Sequence, residues 1–196
     1  LMYYMTKQLL YAQATASHIY GLYTGFVYLT PFFGGIIADR WLGQRRAVIV
    51  GGILMAIGEF MLMSQSLFIP ALFLLILGNG FFKPNISTQV GNLYAPGDHR
   101  RDRAFSIFYV GINVGATLSP LIAGTLGEKY DFKWGFCAAG VGMLLGLAIY
   151  IWGQRHLAPD NVMKRAASAE EKQAEPLSPE DWKKIGALVV LCLLNI

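Results

Sequence analysis

Five stretches of this 196-residue chain are long, apolar and almost free of charge. Residues 17–38 contain no Asp, Glu, Lys or Arg; 47–64 contain only Glu59; 67–94 contain only Lys83; 104–127 and 134–154 contain none. A helix needs about 20 such residues to cross the hydrocarbon core of a bilayer, and lipid forces the backbone to bond internally. The expected fold is therefore an all-α membrane protein with five full spans. Composition rules out the soluble alternatives. Only 14% of the residues are charged, against about 25% in an ordinary domain. A soluble domain of this length leaves roughly 30% of its unfolded surface exposed, too much for a chain that is 55% hydrophobic with mean hydropathy +0.44. The stretch up to about residue 12 reads as the end of an earlier helix. Residues 185–196 read as the start of a later one. Numbered in order these are helices 1 to 7, with 1 and 7 cut.

Alternation of the spans sorts the charges. Connections 2–3 and 4–5 share one side and hold Arg40, Arg45, Arg46, Arg100, Arg101 and Arg103. Connections 1–2, 3–4 and 5–6 share the other and hold Lys7, Lys129 and Lys133. The positive-inside rule assigns the first group to the cytoplasm. The segment after Arg155, polar to Lys184, then follows as a cytoplasmic linker. This predicts a bundle over 1–155, a linker over 156–184 and the opening of helix 7 over 185–196. Six spans, a polar linker and a restart match a transporter built from two six-helix halves.

The net charge of +4 leaves no basic stripe for nucleic acid. Cys137 and Cys192 lie in separate apolar segments without metal-ligand spacing, so they read as unpaired membrane thiols. No charged n-region or cleavage site marks a signal peptide. Gly21/Gly25, Gly111/Gly115 and Gly142/Gly146 have the small-xxx-small spacing that lets membrane helices approach closely, and are expected at helix contacts.

Lys83 is the residue lipid should not hold. It lies 13 residues from Pro70 at the outer end of helix 4, about 20 Å deep at 1.5 Å per residue. A lysine there costs about 3 kcal/mol on insertion scales. It should face a cavity or a partner charge; the alternative is a permanent salt bridge. Pro84 removes the helical donor for the Gly80 carbonyl, and with Gly78 and Gly80 it is expected to open the helix beside the cation. Tyr28 in helix 2 and Asn113 in helix 5 reach similar depth, roughly 17 and 20 Å, which suggests a shared cavity. Taken alone, Tyr28 could be a packed aromatic and Asn113 a helix–helix hydrogen bond. Glu59 lies only about 8 Å from the outer end of helix 3, and its role is open. His18 at the outer rim of helix 2 reads as a solvated ring.

The connection Gly34–Arg46 carries Asp39, Arg40, Arg45 and Arg46 around Gly43, which permits a tight turn. Asp39 stands where the helix dipole disfavours a negative charge, so it should find a cation or another helix N-terminus. These four residues form a candidate latch between helix bundles; simple topology-setting charge is the alternative.

This connection resembles the loop between helices 2 and 3 of the major facilitator superfamily. A longer match is more specific. Gly34 to Gly58, Gly78-Asn79-Gly80-Phe81-Phe82-Lys83-Pro84-Asn85-Ile86-Ser87-Thr88 and Phe105-Ser106-Ile107-Phe108-Tyr109-Val110-Gly111-Ile112-Asn113-Val114-Gly115-Ala116 together resemble the proton-dependent oligopeptide transporter family over roughly residues 1–155. The resemblance implies the six-helix N-terminal bundle of a twelve-helix major facilitator fold, truncated here at both ends. It implies a symporter in the cell (inner) membrane that couples proton entry to uptake of di- and tripeptides. Tyr28, Lys83 and Asn113 would line its central site. The family's helix 1 signature of paired glutamates and an arginine is absent and should lie upstream of Leu1; Tyr3 and Tyr4 come too late in the helix to be its tyrosine pair. Some animal members carry a histidine where Gly21 stands, so His18 does not inherit that role. Many bacterial members insert two helices between the halves, which residues 156–184 cannot supply; an inserted helix is the alternative to helix 7 for residues 185–196.

The implied partners are the peptide, protons, lipid and the C-terminal half. No cofactor, metal or enzymatic activity is expected, because no His/Asp/Glu group converges in the spans. Family relatives that move nitrate or other small anions supply the alternative cargo, since Lys83 would suit an anion as well.

Overall fold

The computed structural model describes residues 1–95 and 97–157. The expected linker over 156–184 and the start of helix 7 over 185–196 lie outside these residues, apart from His156 and Leu157, as does Cys192. Most of the described residues are helical, and they fall within one compact unit, Leu1–Val162. The helices are α1 (Met2–Lys7), α2 (Gln13–Ile37), α3 (Gln44–Met61), α4 (Phe68–Asn92), α5 (Arg100–Ser119) and α6 (Phe132–Gly153). A wider π-type turn, Ala38–Leu42, prolongs α2. Another, Pro120–Gly124, carries α5 on into Thr125–Lys129. The second begins at Pro120, which cannot donate to the carbonyl one turn back and so disturbs the regular ladder.

Four of these elements, Gln13–Leu42, Gln65–Asn92, Arg100–Lys129 and Phe132–His156, are long and apolar enough to cross a membrane. The sequence count expects five. The exception is α3, whose 18 residues begin before Arg45 and Arg46 and include Glu59. Its helix starts and stops about three residues earlier than the apolar run does.

α4 is the central helix: it packs against α2 on one side and α3 on the other, and α3 in turn packs against α6. Glycines make these approaches possible, but they are not the glycines of the spaced pairs. A Cβ on Gly51 of α3 would lie 2.7 Å from the Gly78 carbonyl oxygen of α4, and one on Gly78 would lie 2.8 Å from the Gly51 oxygen. A Cβ on Gly140 of α6 would meet the Phe60 ring at 3.0 Å. By contrast Gly21, Gly25, Gly111, Gly115, Gly142 and Gly146 have nothing within 4 Å of that position. The expectation that those three pairs sit at contacts is corrected on this point. The spacing places two glycines on one face of a helix, and only the neighbours decide whether that face is covered.

Side chains at the two ends of the bundle show which connections lie together. At one end Asp39 accepts a bond from Gln44 Nε2 at 3.2 Å, and Gln44 Oε1 accepts one from Asn92 Nδ2 at 3.1 Å. The Arg45 guanidinium donates to the Leu157 carbonyl. The end of α2, the start of α3, the end of α4 and the end of α6 therefore share one end, as the alternation of spans predicts. Gly43 makes its turn with φ of +83°, a conformation glycine adopts at little cost. At the opposite end lies the buried core of Tyr4, Met5, Ala16, Leu62, Phe68, Ala71, Leu72 and Leu75. Tyr4 closes it, 5.0 Å from the Phe136 ring and 5.9 Å from that of Phe68, with its hydroxyl on the Leu62 carbonyl.

In the connection before α5, the Asp98 carboxylate accepts bonds from Arg100 Nη2 at 2.7 Å and from the Arg100 backbone N–H at 2.9 Å. The Arg100 side chain is the main cause holding this carboxyl below the usual aspartate range, with the backbone bond second. A depressed pKa means that the ionised form is the bound one. The interaction is fully present above the ordinary aspartate pKa of about 3.9 and is lost as pH falls through the lowered value. Carboxyl carbon NMR should find Asp98 titrating below a free aspartate, and Arg100→Ala, which removes the side-chain bonds but keeps the backbone one, should move it up toward the ordinary range. An ordinary midpoint in the unaltered protein would refute this pairing.

Candidate functional site

α2 and α4 meet along two stripes with helical spacing. On α2 these are Val27, Thr30, Pro31 and Gly34; on α4 they are Ile76, Asn79, Gly80 and Lys83. Positions i, i+3, i+4 and i+7 fall on one face. Thr30 Oγ1 donates to the Ile76 carbonyl at 3.0 Å, and Asn79 Nδ2 donates to the Val27 carbonyl at 2.9 Å. A Cβ on Gly80 would come within 2.9 Å of Thr30 Cβ, and one on Gly34 would overlap the Gly80 carbonyl oxygen. Two interhelical hydrogen bonds and two glycines thus bring these backbones together.

Lys83 and Tyr28 stand at the edge of this contact. The Lys83 ammonium lies over the Tyr28 ring, 5.0 Å from its centroid. A cation there is attracted by the negative ring face, by about 0.5–2 kcal/mol depending on desolvation. Both side chains are exposed, Tyr28 at 70%. Among the described residues Lys83 has no carboxylate partner within ion-pair distance. The expected alternative of a permanent salt bridge for Lys83 therefore finds no support within the described residues.

One expectation changes. α4 does not open at Pro84: it runs unbroken from Phe68 to Asn92. Loss of one intrahelical bond does not break a helix clamped on both sides by α2 and α3. Asn113 makes no direct hydrogen bond to Tyr28 or Lys83. Its amide donates to the Tyr109 carbonyl of its own helix at 2.8 Å, and the residue is exposed. α5 touches α4 near its first turns, where Arg101 and Phe105 approach Gly91, and none of its residues is buried. Beyond that contact a cavity of about 500 Å³ separates α4 from α6 and the end of α5, lined by Phe82, Ile86, Ser119, Gly142, Gly146 and Tyr150 among others.

Of the candidate latch, Asp39 bonds Gln44 at the first turn of α3, close to the helix N-terminus it was expected to find. Arg45 holds the end of α6 through Leu157, and Arg40 and Arg46 are exposed. Glu59 lines a second cavity of about 320 Å³ that also reaches Tyr3, Tyr4, Glu128 and Phe132. His18 is exposed at the start of α2. Among the described residues no group of three or more His, Cys, Asp or Glu is gathered that could hold a metal ion.

Thr30 and Asn79 escaped the sequence reading. The signal for Asn79 was available, because a carboxamide at the depth of Lys83 needs a partner for the same reason a cation does. Its partner is the Val27 carbonyl, which Pro31 four residues later deprives of its helical donor, but which side chain reaches that carbonyl has no sequence signature.

The sequence profile of the POT family matches residues 45–171 of this chain. A di-/tripeptide transporter of Lactococcus lactis subsp. cremoris is 45% identical over 189 residues, which is 94% of this chain and 36% of that protein. The peptide transporter YePEPT of Yersinia enterocolitica is 46% identical over 140 residues, 69% of this chain and 27% of that protein. Among solved structures, a peptide transporter POT in complex with sulfate superposes with a TM-score of 0.78 at 37% identity, over all of this chain and 41% of that one. The chain thus spans about a third of these curated relatives.

Proposed function

The chain belongs to the POT family, and from that premise we propose that it is part of a proton-coupled symporter importing di- and tripeptides. It is a multi-pass membrane protein with the N-terminal helical bundle of the major facilitator type of fold. One observation carries the proposal furthest: an ammonium without a carboxylate partner among the described residues, held over an aromatic ring on an open face between two clamped helices.

A peptide is a zwitterion with variable side chains. Fixed charges recognise its termini, and a roomy cavity tolerates the rest. In this reading Lys83 attracts the peptide carboxylate, and the Tyr28 hydroxyl bonds the peptide backbone. Asn113 exchanges its local carbonyl for a peptide group. An acidic residue for the amino terminus comes from the C-terminal half. Rocking of the two halves exposes the site to each side in turn. A carboxylate that alternates between Lys83 and a proton couples the two fluxes. Asp39, Arg40, Arg45 and Arg46, at the end assigned to the cytoplasm, latch one half against the other in one of these states. The protein would sit in the cell membrane, use the proton as coupling ion without a cofactor, and perform transport with no chemical conversion.

The rival cargo is nitrate or another small anion. The peptide transporters among its relatives favour the peptide reading. Full-length protein in liposomes, under an inward proton gradient, should accumulate a labelled dipeptide. Excess tripeptide should compete and nitrate should not. Gradient-driven nitrate uptake without dipeptide uptake would replace the cargo, and no flux of either would remove the transporter reading.

A further inference from the structure

α2 and α4 each contain an internal proline, and each proline orphans one carbonyl of its own helix. Pro31 has no N–H, so the carbonyl one turn earlier, that of Val27, lacks its intrahelical donor. Pro84 does the same to the carbonyl of Gly80. In an apolar medium an unpaired carbonyl is costly. Each of these groups is taken up by the opposite helix. The Val27 carbonyl accepts Asn79 Nδ2 of α4 at 2.9 Å. The Gly80 carbonyl packs on Gly34 of α2, whose Cα hydrogen stands where a Cβ would clash, giving a Cα–H···O contact.

We infer that Asn79 is a positioning residue for the Lys83–Tyr28 pair, acting through a reciprocal clasp in which each helix satisfies the carbonyl that the other helix's proline leaves free. The geometry supports this directly. Val27 precedes Tyr28, and Asn79 lies one helical turn before Lys83, on the same face of α4. The Asn79–Val27 bond therefore fixes the rotation of α2 that brings the Tyr28 ring to 5.0 Å from the Lys83 ammonium. The clasp also accounts for an α4 that stays unbroken at Pro84. The freed carbonyl has a neighbour, so nothing drives the helix to open.

The inference rests on the peptide reading above only for its uptake readout. The test uses full-length protein carrying Asn79→Leu, Pro31→Ala or both. Asn79→Leu leaves the Val27 carbonyl with no donor. Pro31→Ala returns an N–H to α2 that satisfies this carbonyl within its own helix, so Asn79 is no longer needed. Asn79→Leu alone should raise the dipeptide KM about three- to tenfold, with the maximal rate within about twofold. In the Pro31→Ala background the same change should move KM less than about twofold. A purely structural asparagine would lower the amount of active protein and leave KM alone, and that result would overturn the inference. Equal KM penalties in both backgrounds would overturn it too. If the unaltered protein takes up no dipeptide, the peptide reading fails, and thermal midpoints of the same four proteins decide the clasp. A drop with Asn79→Leu that disappears beside Pro31→Ala upholds it, and equal drops in both backgrounds reject it.

Discussion

Full-length protein carrying Lys83→Ala is expected to lose proton-driven dipeptide uptake, with the peptide KM raised roughly 30- to 1,000-fold. A charged group that meets a carboxylate away from bulk water contributes about 2–4 kcal/mol, and each 1.36 kcal/mol is tenfold. Lys83 has no carboxylate partner among the described residues, so the peptide carboxylate takes the ammonium whenever the coupling carboxylate of the proposed mechanism is protonated. Stability should move the other way. An ammonium at this depth is expensive, and what Lys83 gains from Tyr28 at 5.0 Å offsets only part of that cost. The variant should therefore melt at or above the temperature of the unaltered protein while transport is lost. That combination separates a binding role from a folding role. Lys83→Arg keeps the charge but not its compact shape, and should retain binding while transporting more slowly. Near-normal uptake by Lys83→Ala would sink the assignment.

Gly34→Ala is expected to destabilise the bundle by about 3 kcal/mol, near the upper end of overpacking costs. The added methyl would meet the Gly80 carbonyl oxygen, carbon and the Phe81 nitrogen, all main-chain atoms that cannot rotate aside. α2 and α4 must separate, and the Asn79–Val27 and Thr30–Ile76 bonds lengthen with them. The neighbouring glycine is the control. A Cβ on Gly35 would lie 3.8 Å from Pro84 Cβ, an ordinary contact. Gly35→Ala should therefore cost less than about 0.5 kcal/mol, within the range of substitutions that disturb no special feature. Thermal unfolding of the two variants in one detergent reads the difference directly. Equal midpoints would show that the α2–α4 approach is looser than described.

Much of this molecule can be read from order and composition because a bilayer imposes simple demands. Uncharged runs mark helices, since lipid offers the backbone no other partner. Alternating spans sort the arginines to one end, and the bonds of Gln44 with Asp39 and Asn92 join the connections that this sorting grouped. Lys83 declares itself by its cost, and Tyr28 by its depth. α3 was harder to delimit. A helix obeys its own hydrogen-bond ladder, so it begins at Gln44, upstream of the apolar run.

The contacts are a different matter. Gly111/Gly115 and Gly34 look equally suited to a helix interface, yet only Gly34 has a neighbouring backbone against it. Pro84 promised an opened helix, and the reply came from Gly34, 50 residues away in the chain. Asn113 has the right depth but keeps its amide on its own helix. By itself the sequence determined which segments are helices, which end collects the arginines and which cation is out of place. These depend on transfer free energies and periodicity, properties that each segment carries alone. The tertiary structure decided which glycine faces are covered, which carbonyls Asn79 and Thr30 reach, and that Lys83 lies over Tyr28. Those outcomes depend on how one helix is rotated against another, which the packing of all of them decides together.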